Sequence, residues 1–431
     1  MITRTGYIVR GAVDQTAIKR ELTVRPVENA VGIQAPAFKV YRSDAKGNLC
    51  VPRYYGHDKF GPGADRRPEP KQCDIKFAGT LRDYQQRALD LFDSGVLSLP
   101  CGYGKTTVAL AIAAKVKVRT MIIVHKEFLA TQWRERILQF CPGASIGLVQ
   151  GSVCDTDKDF VIAMIQTMCM REHPIGTFDS VGLLIVDEAH HIGAPAFSQF
   201  MFKLCPKYTL GLTATPDRKD GLTRLLYWFM GPAFFTVERE NCSAVSVVKV
   251  PFDAPEFRQG VPLNRMGKVS LADIVNTLVE IPSRNKVILD IVEKCKGRKL
   301  LILTDRRNHC FELAAALPES GLYIGGMKEA DLEKSSEKDI IIGTFSLAHE
   351  GLDIPTLDTV ILATPHSDVK QAVGRILRGK SRNPPVIYDL VDQWSILLSM
   401  WRKRLDMYCQ SGFDVPESEP LREKQGFKFI L

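Results

Sequence analysis

VLSLPCGYGKTTVALAIAAKVK, Val96 to Lys117, decides how this chain is read. A short apolar run, VLSLP, leads into a glycine-rich loop, and TTVALAIAAKVK continues with helical spacing of its apolar positions. Strand, glycine loop and helix form the arrangement that cradles phosphate. Glycines let backbone N–H groups approach the anion, and a helix N-terminus favours negative charge. Gly102 and Gly104 are the loop glycines, Lys105 is expected to reach the β- and γ-phosphates, and the Thr106 hydroxyl to ligate Mg²⁺. Leu99 stands where the GxxxxGK[ST] pattern has its first glycine, so the loop needs a second signal.

That signal is VDEAHH, Val186 to His191, which ends the apolar run GLLIV; its Asp187 lies 82 residues beyond Lys105. Carboxylates there fall at the C-terminal edge of a strand, where open α/β sheets bind ligands. Asp187 is expected to hold Mg²⁺, directly or through water, and Glu188 to act as general base on the attacking water. Upstream, LRDYQ (Leu81 to Gln85) offers the Gln85 amide, which can both donate to and accept from an adenine edge. Downstream, QAVGRILR (Gln371 to Arg378) places Arg375 and Arg378 three residues apart on one helix face. An arginine fork suits charge developing on a transferring phosphoryl group.

The rest of the composition narrows the class. No stretch of 18 or more apolar residues occurs, so no membrane-spanning helix is expected. MITRTGYIVRG has no apolar h-region, so no secretory signal is expected. Eleven scattered cysteines include no CxxC pair, which removes zinc-ribbon and thioredoxin-like readings and suggests a reducing, intracellular compartment. Net charge is +8, of which residues 1–76 carry +6. That basic segment could contact phosphates or be a solvated surface.

Along the chain, residues 1–76 read as a small β-rich accessory domain for DNA or partner contact, and GPGADRRPEPKQ (Gly61 to Gln72) has linker or loop composition. Residues 77–235 alternate strand and helix, with TMIIVH, FVIAMI, GLLIVDE and YTLGLTA as buried parallel strands. Residues 236–281 read as an inter-lobe connection. Alternation resumes over 282–410 with LLILTD, GLYIGG, DIIIGT, TVILATP and PVIYDLVD, and 411–431 form a tail. The fold class is α/β, with two parallel-sheet lobes and the small N-terminal domain.

These segments, with LTATP (Leu212 to Pro216) and TFSLAHEGLDIP (Thr344 to Pro355), resemble the superfamily 2 helicases and translocases in their DEAH-box form. The match runs from Leu81 to Arg378. LPCGYGKT, VHKEFLATQWRERI (Val124 to Ile137), TATPDRKDGL (Thr213 to Leu222) and VPRYYG (Val51 to Gly56) resemble the XPB and UvsW branch, and within it the poxvirus-type transcript-release helicases and their relatives in other large DNA viruses. The resemblance implies two RecA-like lobes with ATP between them. It implies nucleic-acid contacts at His125, Lys126, Gln132, Trp133, Gln166, Thr167, Thr304, Arg306 and Thr344. His190, Thr213 and Thr215 would couple hydrolysis to movement, Gly351 and Asp353 would face ATP, and Gln371 would open the arginine motif. XPB-type enzymes carry Arg-Glu-Asp after the TAT segment, where this chain has Arg218-Lys219-Asp220.

The resulting expectation is an ATP- and Mg²⁺-dependent DNA helicase or translocase, with duplex, single-stranded or branched DNA as partner and no membrane. Two alternatives stand beside it: a motor that releases transcripts in company with RNA polymerase or other replication and transcription proteins, and an RNA helicase. Intact Lys105, Glu188 and Arg378 argue against an inactive binding module. Arg378→Ala is predicted to lower steady-state ATP turnover about 10³-fold if it acts as an arginine finger; a loss under about tenfold would move that role to Arg375 or remove it.

Overall fold

Residues 120–124, 160–164 and 183–186 are buried at every position, and the burial alternates between two cores. Met121, Ile123, Val161, Ala163, Leu184 and Val186 enter one apolar cluster, and Ile122, Val124, Phe160, Ile162, Leu183 and Ile185 the other. Successive side chains on a strand point to opposite faces, so two cores mean a sheet covered on both sides, as parallel sheets require.

The computed structural model of the chain describes residues 1–10, 13–26, 36–44, 47–100, 102–193, 195–214, 221–237, 245–263, 267, 269–350, 354, 356–367, 369, 373 and 383–416. The chain divides into two compact units, Met1–Glu238 and Arg239–Leu431.

The first unit opens with β1 (Ile2–Thr3), β2 (Gly6–Val9), α1 (Gln15–Glu21), β3 (Thr23–Val24), β4 (Phe38–Lys39), β5 (Arg42–Ser43), β6 (Leu49–Val51) and α2 (Arg53–Phe60). Four of these strands form a small antiparallel sheet ordered β1-β2-β6-β5. α3 (Asp83–Leu91) then precedes β7 (Gly95–Ser98), α4 (Lys105–Val116), β8 (Thr120–Val124), α5 (Glu127–Phe140), β9 (Ile146–Gln150), β10 (Val153–Cys154), β11 (Phe160–Met164), α6 (Ile165–Met170), β12 (Leu183–Val186), β13 (Tyr208–Thr213) and β14 (Ala233–Thr236). Among the described residues these strands make an eight-stranded sheet ordered β10-β9-β11-β8-β12-β13-β7-β14. Every pairing in it is parallel except that of β10 with β9.

The small N-terminal sheet is bolted to this lobe by the cations that made residues 1–76 look basic. Arg4 pairs with Asp179 at 3.1 Å, and the Arg42 guanidinium donates to the Gln199 side chain and backbone at 3.2 and 2.8 Å. Arg53 donates to the Lys207 carbonyl at 2.9 Å, and Arg67 to that of Pro206. VPRYYG belongs to the same seam: the Tyr54 hydroxyl lies 3.1 Å from that of Thr209, and the Tyr55 ring meets Trp228 edge-on at 5.1 Å. A Cβ on Gly56 would sit 2.3 Å from the Tyr7 ring, so only glycine fits there. The linker-like 61–72 stretch is a strap, with Ile2 N–H bonded to the Ala64 carbonyl and Lys71 N–H to that of Ser180.

The second unit is a RecA-like lobe too. Among the described residues its sheet is ordered β15-β20-β19-β16-β18-β17 and is parallel throughout, with β15 (Ser246–Phe252), β16 (Leu300–Thr304), β17 (Gly321–Tyr323), β18 (Ile340–Thr344), β19 (Thr359–Leu362) and β20 (Val386–Asp392). β15 and the helix Leu271–Val279 lie inside the stretch 236–281 that the sequence suggested was connection. Lys249 and Pro251 hide the strand in SVVKVPF; an edge position tolerates both, because one side of an edge strand needs no ladder bonds.

Two buried ion pairs brace β20. Asp392 takes Nε and Nη2 of Arg284 at 2.7 and 3.0 Å, and Asp389 takes Nε and Nη2 of Arg404 at 2.7 and 2.8 Å. The Tyr408 hydroxyl also donates to Asp389, at 2.9 Å. Nearby, His309 lies wholly buried, with Nδ1 2.9 Å from the Thr304 hydroxyl and Nε2 3.0 Å from Asn285 Oδ1. The Asn285 amide nitrogen donates to the Val279 carbonyl at 2.8 Å, so its oxygen faces the ring and Nε2 carries the proton.

Burial first, and then the Arg284 charge, lower the His309 pKa from 6.5 to about 4. The unfolded chain therefore takes up a proton before the folded one does. Stability is complete above pH 6.5 and is lost as pH falls toward 4, by about 3 kcal/mol for a shift of this size. His309→Leu is expected to be less stable than wild type at pH 7 yet to decline less between pH 6.5 and 4.5 in urea titrations. Parallel pH profiles for the two proteins would contradict this account.

Candidate ATP and nucleic-acid site

Parallel pairing puts the C-terminal ends of β7, β13, β12, β8 and β11 on one edge of the first sheet. The register aligns Ser98 with Thr213, Val186 with both Gly211 and Ile123, and Val124 with Met164. The glycine loop, the TAT segment, the DE pair, His125 and Gln166 each follow one of these strand ends. β7 and β8 are consecutive in the chain around α4, yet β13 and β12 lie between them in the sheet. That gap is where the strand order reverses, the position at which open sheets form a crevice.

Gly102 and Gly104 have φ of +83° and +75°, a backbone only glycine adopts without strain. A Cβ on Gly104 would also meet Gln85 Nε2 at 2.4 Å. Leu99 is fully buried and its N–H donates to the Thr213 carbonyl at 3.1 Å, so the position of the missing glycine is spent on the core. Lys105 starts α4, and its ammonium donates to the Leu99 carbonyl at 3.2 Å, folded back over the loop. Thr106 follows in the first turn, which holds no acidic side chain to compete with an anion. Gln85 is buried under the loop: Oε1 accepts from Arg82 N–H at 2.9 Å and Nε2 donates to the Tyr103 carbonyl at 3.0 Å. The Tyr84 hydroxyl donates to that carbonyl as well, at 3.0 Å.

Asp187 is half-buried, and both its oxygens are engaged. Oδ2 accepts from the Trp133 indole N–H at 2.9 Å, and Oδ1 from Glu188 N–H at 3.0 Å. Glu188 has φ of +47°, a left-handed conformation that costs a non-glycine residue about 1–3 kcal/mol. His190 Nδ1 lies 3.4 Å from Glu188 Oε2 and 3.3 Å from the Thr213 hydroxyl, joining the DEAH and TAT segments. His191, which the sequence did not single out, packs its ring between His190 and His125, at centroid distances of 4.3 and 4.8 Å. Burial lowers the His125 pKa, against the Asp187 and Glu188 carboxylates, which raise it.

A magnesium nucleotide fits this donor set. A helix N-terminus with two positive-φ glycines suits phosphates, a lysine suits the terminal ones, and magnesium needs only one or two protein oxygens beside them. Thr106 and Asp187 are the oxygens on offer. Gly351, Asp353, Thr215, Gln371, Arg375 and Arg378 lie outside the described residues.

Of the nucleic-acid candidates in the first unit, Gln132 and Gln166 are exposed, and Lys126 caps α5 half-buried. Gln166 Nε2 donates to the His125 carbonyl at 2.8 Å, and the Thr167 hydroxyl accepts from Gly151 N–H at 3.1 Å. Trp133 does not fit the expectation. It is 2% exposed, so its ring is core and its one polar atom is given to Asp187. In the second unit Thr304 is fully buried, with its hydroxyl on His309. Thr344 is 8% exposed, beside Ser346. The Thr304 hydroxyl is taken up inside the lobe, as buried polar groups are, while that of Thr344 lies 3.4 Å from the hydroxyl of exposed Ser346. Arg306 is turned onto the helix Leu271–Val279, donating to Asn276 Oδ1 and the Ala272 carbonyl at 2.6 and 2.9 Å.

The family model described as "Type III restriction enzyme, res subunit" matches residues 78–218. "Putative ATP-dependent RNA helicase L396" of Acanthamoeba polyphaga mimivirus is 35% identical over 424 residues, covering 91% of this chain and 81% of that protein. "Putative helicase 161L" of Invertebrate iridescent virus 6 is 30% identical over 370 residues, covering 78% of this chain and 82% of that one. The crystal structure of T4 UvsW aligns over 96% of this chain and 97% of its own, with 17% identity and a TM-score of 0.38. With the site geometry and two viral relatives that match along most of their length, the chain belongs to the superfamily 2 ATP-dependent helicases found in large DNA viruses.

Proposed function

We propose that this helicase is a DNA-stimulated motor whose ATP site is the glycine loop, α4 N-terminus and DE pair of the first unit. The observation that supports it most is the shared sheet edge: the loop after β7 and the carboxylates after β12 flank one strand, β13, whose Thr213 is linked through His190 to Glu188. Lys105 and Thr106 bind the phosphates, and Asp187 and Thr106 hold Mg²⁺. Bound Mg²⁺ supplies charge neutralisation at the phosphates. Glu188 accepts the proton of the attacking water. Arg375 and Arg378 supply the cationic fork, and His190, Thr213 and Thr215 carry the change at Glu188 toward the nucleic-acid side of the same edge. Exposed Gln132 and Gln166 touch backbone there without reading sequence.

The preference for DNA rests on the XPB- and UvsW-like segments. RNA is the second reading, favoured by the name of the mimivirus relative, which describes an RNA helicase. Transcript release beside RNA polymerase remains a further reading of the same motor. Action inside an infected cell accords with the viral relatives.

Steady-state ATPase assays with no nucleic acid, duplex, single-stranded and branched DNA, and RNA test the reading. Stimulation by DNA and not RNA is expected; stimulation by RNA alone would overturn the substrate while leaving the motor. Lys105→Ala is expected to lose turnover, and Glu188→Gln to bind ATP without hydrolysing it and stay on nucleic acid. Wild-type hydrolysis by either variant would remove its residue from the site.

A further inference from the structure

The sequence resemblance assigned Trp133 to nucleic acid, but the side chain is buried and its indole N–H ends on Asp187 Oδ2 at 2.9 Å. We propose that Trp133 is a positioning residue for Asp187, holding that carboxylate in the orientation that receives Mg²⁺. The inference rests on the assignment of Asp187 as the metal carboxylate.

An indole N–H only donates, and a carboxylate has about four acceptor sites. The Trp133 bond uses one on Oδ2, and Glu188 N–H uses one on Oδ1. Each oxygen keeps a site for a metal or its water, while the two bonds together fix the rotation of the carboxylate plane. A third bond, from Asp187 N–H to the Ile123 carbonyl at 3.1 Å, fixes the backbone beneath it. The donor itself cannot drift. Trp133 is 2% exposed and belongs to the same buried apolar cluster as Val124, Leu129, Ile137 and Ile162. Rigid outer partners of this kind set the geometry of metal ligands, and losing one typically costs 10–100-fold in metal affinity or activity. A purely structural role predicts something else: the carboxylate would serve only to satisfy a buried indole, and deleting the N–H would leave Asp187 unaffected.

Two variants of the full chain delete the N–H while keeping the ring: Trp133→Phe, and replacement of Trp133 by its benzothiophene isostere, which preserves shape if phenylalanine leaves a damaging cavity. The first readout is binding of a fluorescent ADP analogue, followed by anisotropy as Mg²⁺ is raised. Half-saturation is expected to need about 10–100-fold more Mg²⁺ in both variants, with binding in EDTA unchanged. The second is the ¹H–¹⁵N indole spectrum of the ligand-free protein, in which one of the four tryptophan signals disappears in the variants and that same signal moves in Asp187→Asn. Superimposable Mg²⁺ curves for wild type and the folded isostere would overturn the proposal. If Asp187→Asn loses Mg²⁺-dependent binding while the isostere does not, only the role of Trp133 falls. If Asp187→Asn binds as wild type does, the metal assignment falls and takes this inference with it.

Discussion

Parallel strand pairing is the constraint on which the rest of this molecule depends. Once seven strands of the first sheet run the same way, their C-terminal ends meet on one edge, whatever the loops contain. Segments far apart in the chain, after residues 98, 124, 164, 186 and 213, become neighbours without any contact among their side chains being needed to bring them there. The side chains then refine the arrangement. Leu99 hangs from Thr213, Asp187 from Ile123, and His190 reaches between Glu188 and Thr213.

α5 joins two kinds of chemistry within one turn. Gln132 is exposed, while Trp133, the next residue, enters the core and ends on Asp187. A shift of α5 along its axis would be felt at the carboxylate. The strained backbone at Glu188 belongs to the same knot: its N–H and the Trp133 N–H hold the Asp187 oxygens between them, and its carbonyl accepts from His191 N–H at 3.0 Å. Those bonds offset a conformation that would otherwise relax.

The N-terminal residues show that part of a basic segment's charge can be used inside the molecule. The +6 of residues 1–76 left open a contact with phosphates and a solvated surface. Four of its cations, Arg4, Arg42, Arg53 and Arg67, bond to carboxylate, amide and carbonyl groups of the adjoining lobe. Arginine suits such seams because its planar fork satisfies several oxygens at once. The family-like VPRYYG segment takes part in the same seam.

The sequence by itself determined the class of fold and marked the candidate ATP site. Buried parallel strands must be apolar on both faces, and phosphate loops must place glycine and lysine at set spacing, so both leave one-dimensional signatures. Edge strands do not: β10 is two exposed residues, β14 is half-exposed, and β15, which carries lysine and proline, passed for connection. The partners of individual side chains were beyond one dimension too. Trp133, Thr304 and Thr344 carry groups able to contact a phosphate backbone, and a motif match cannot tell an outward hydroxyl or indole from an inward one. Only the tertiary structure decided that Trp133 and Thr304 face the interior. The turn of a helix or the pleat of a strand sets which way a side chain points, and the packing behind it sets which polar atom it must satisfy.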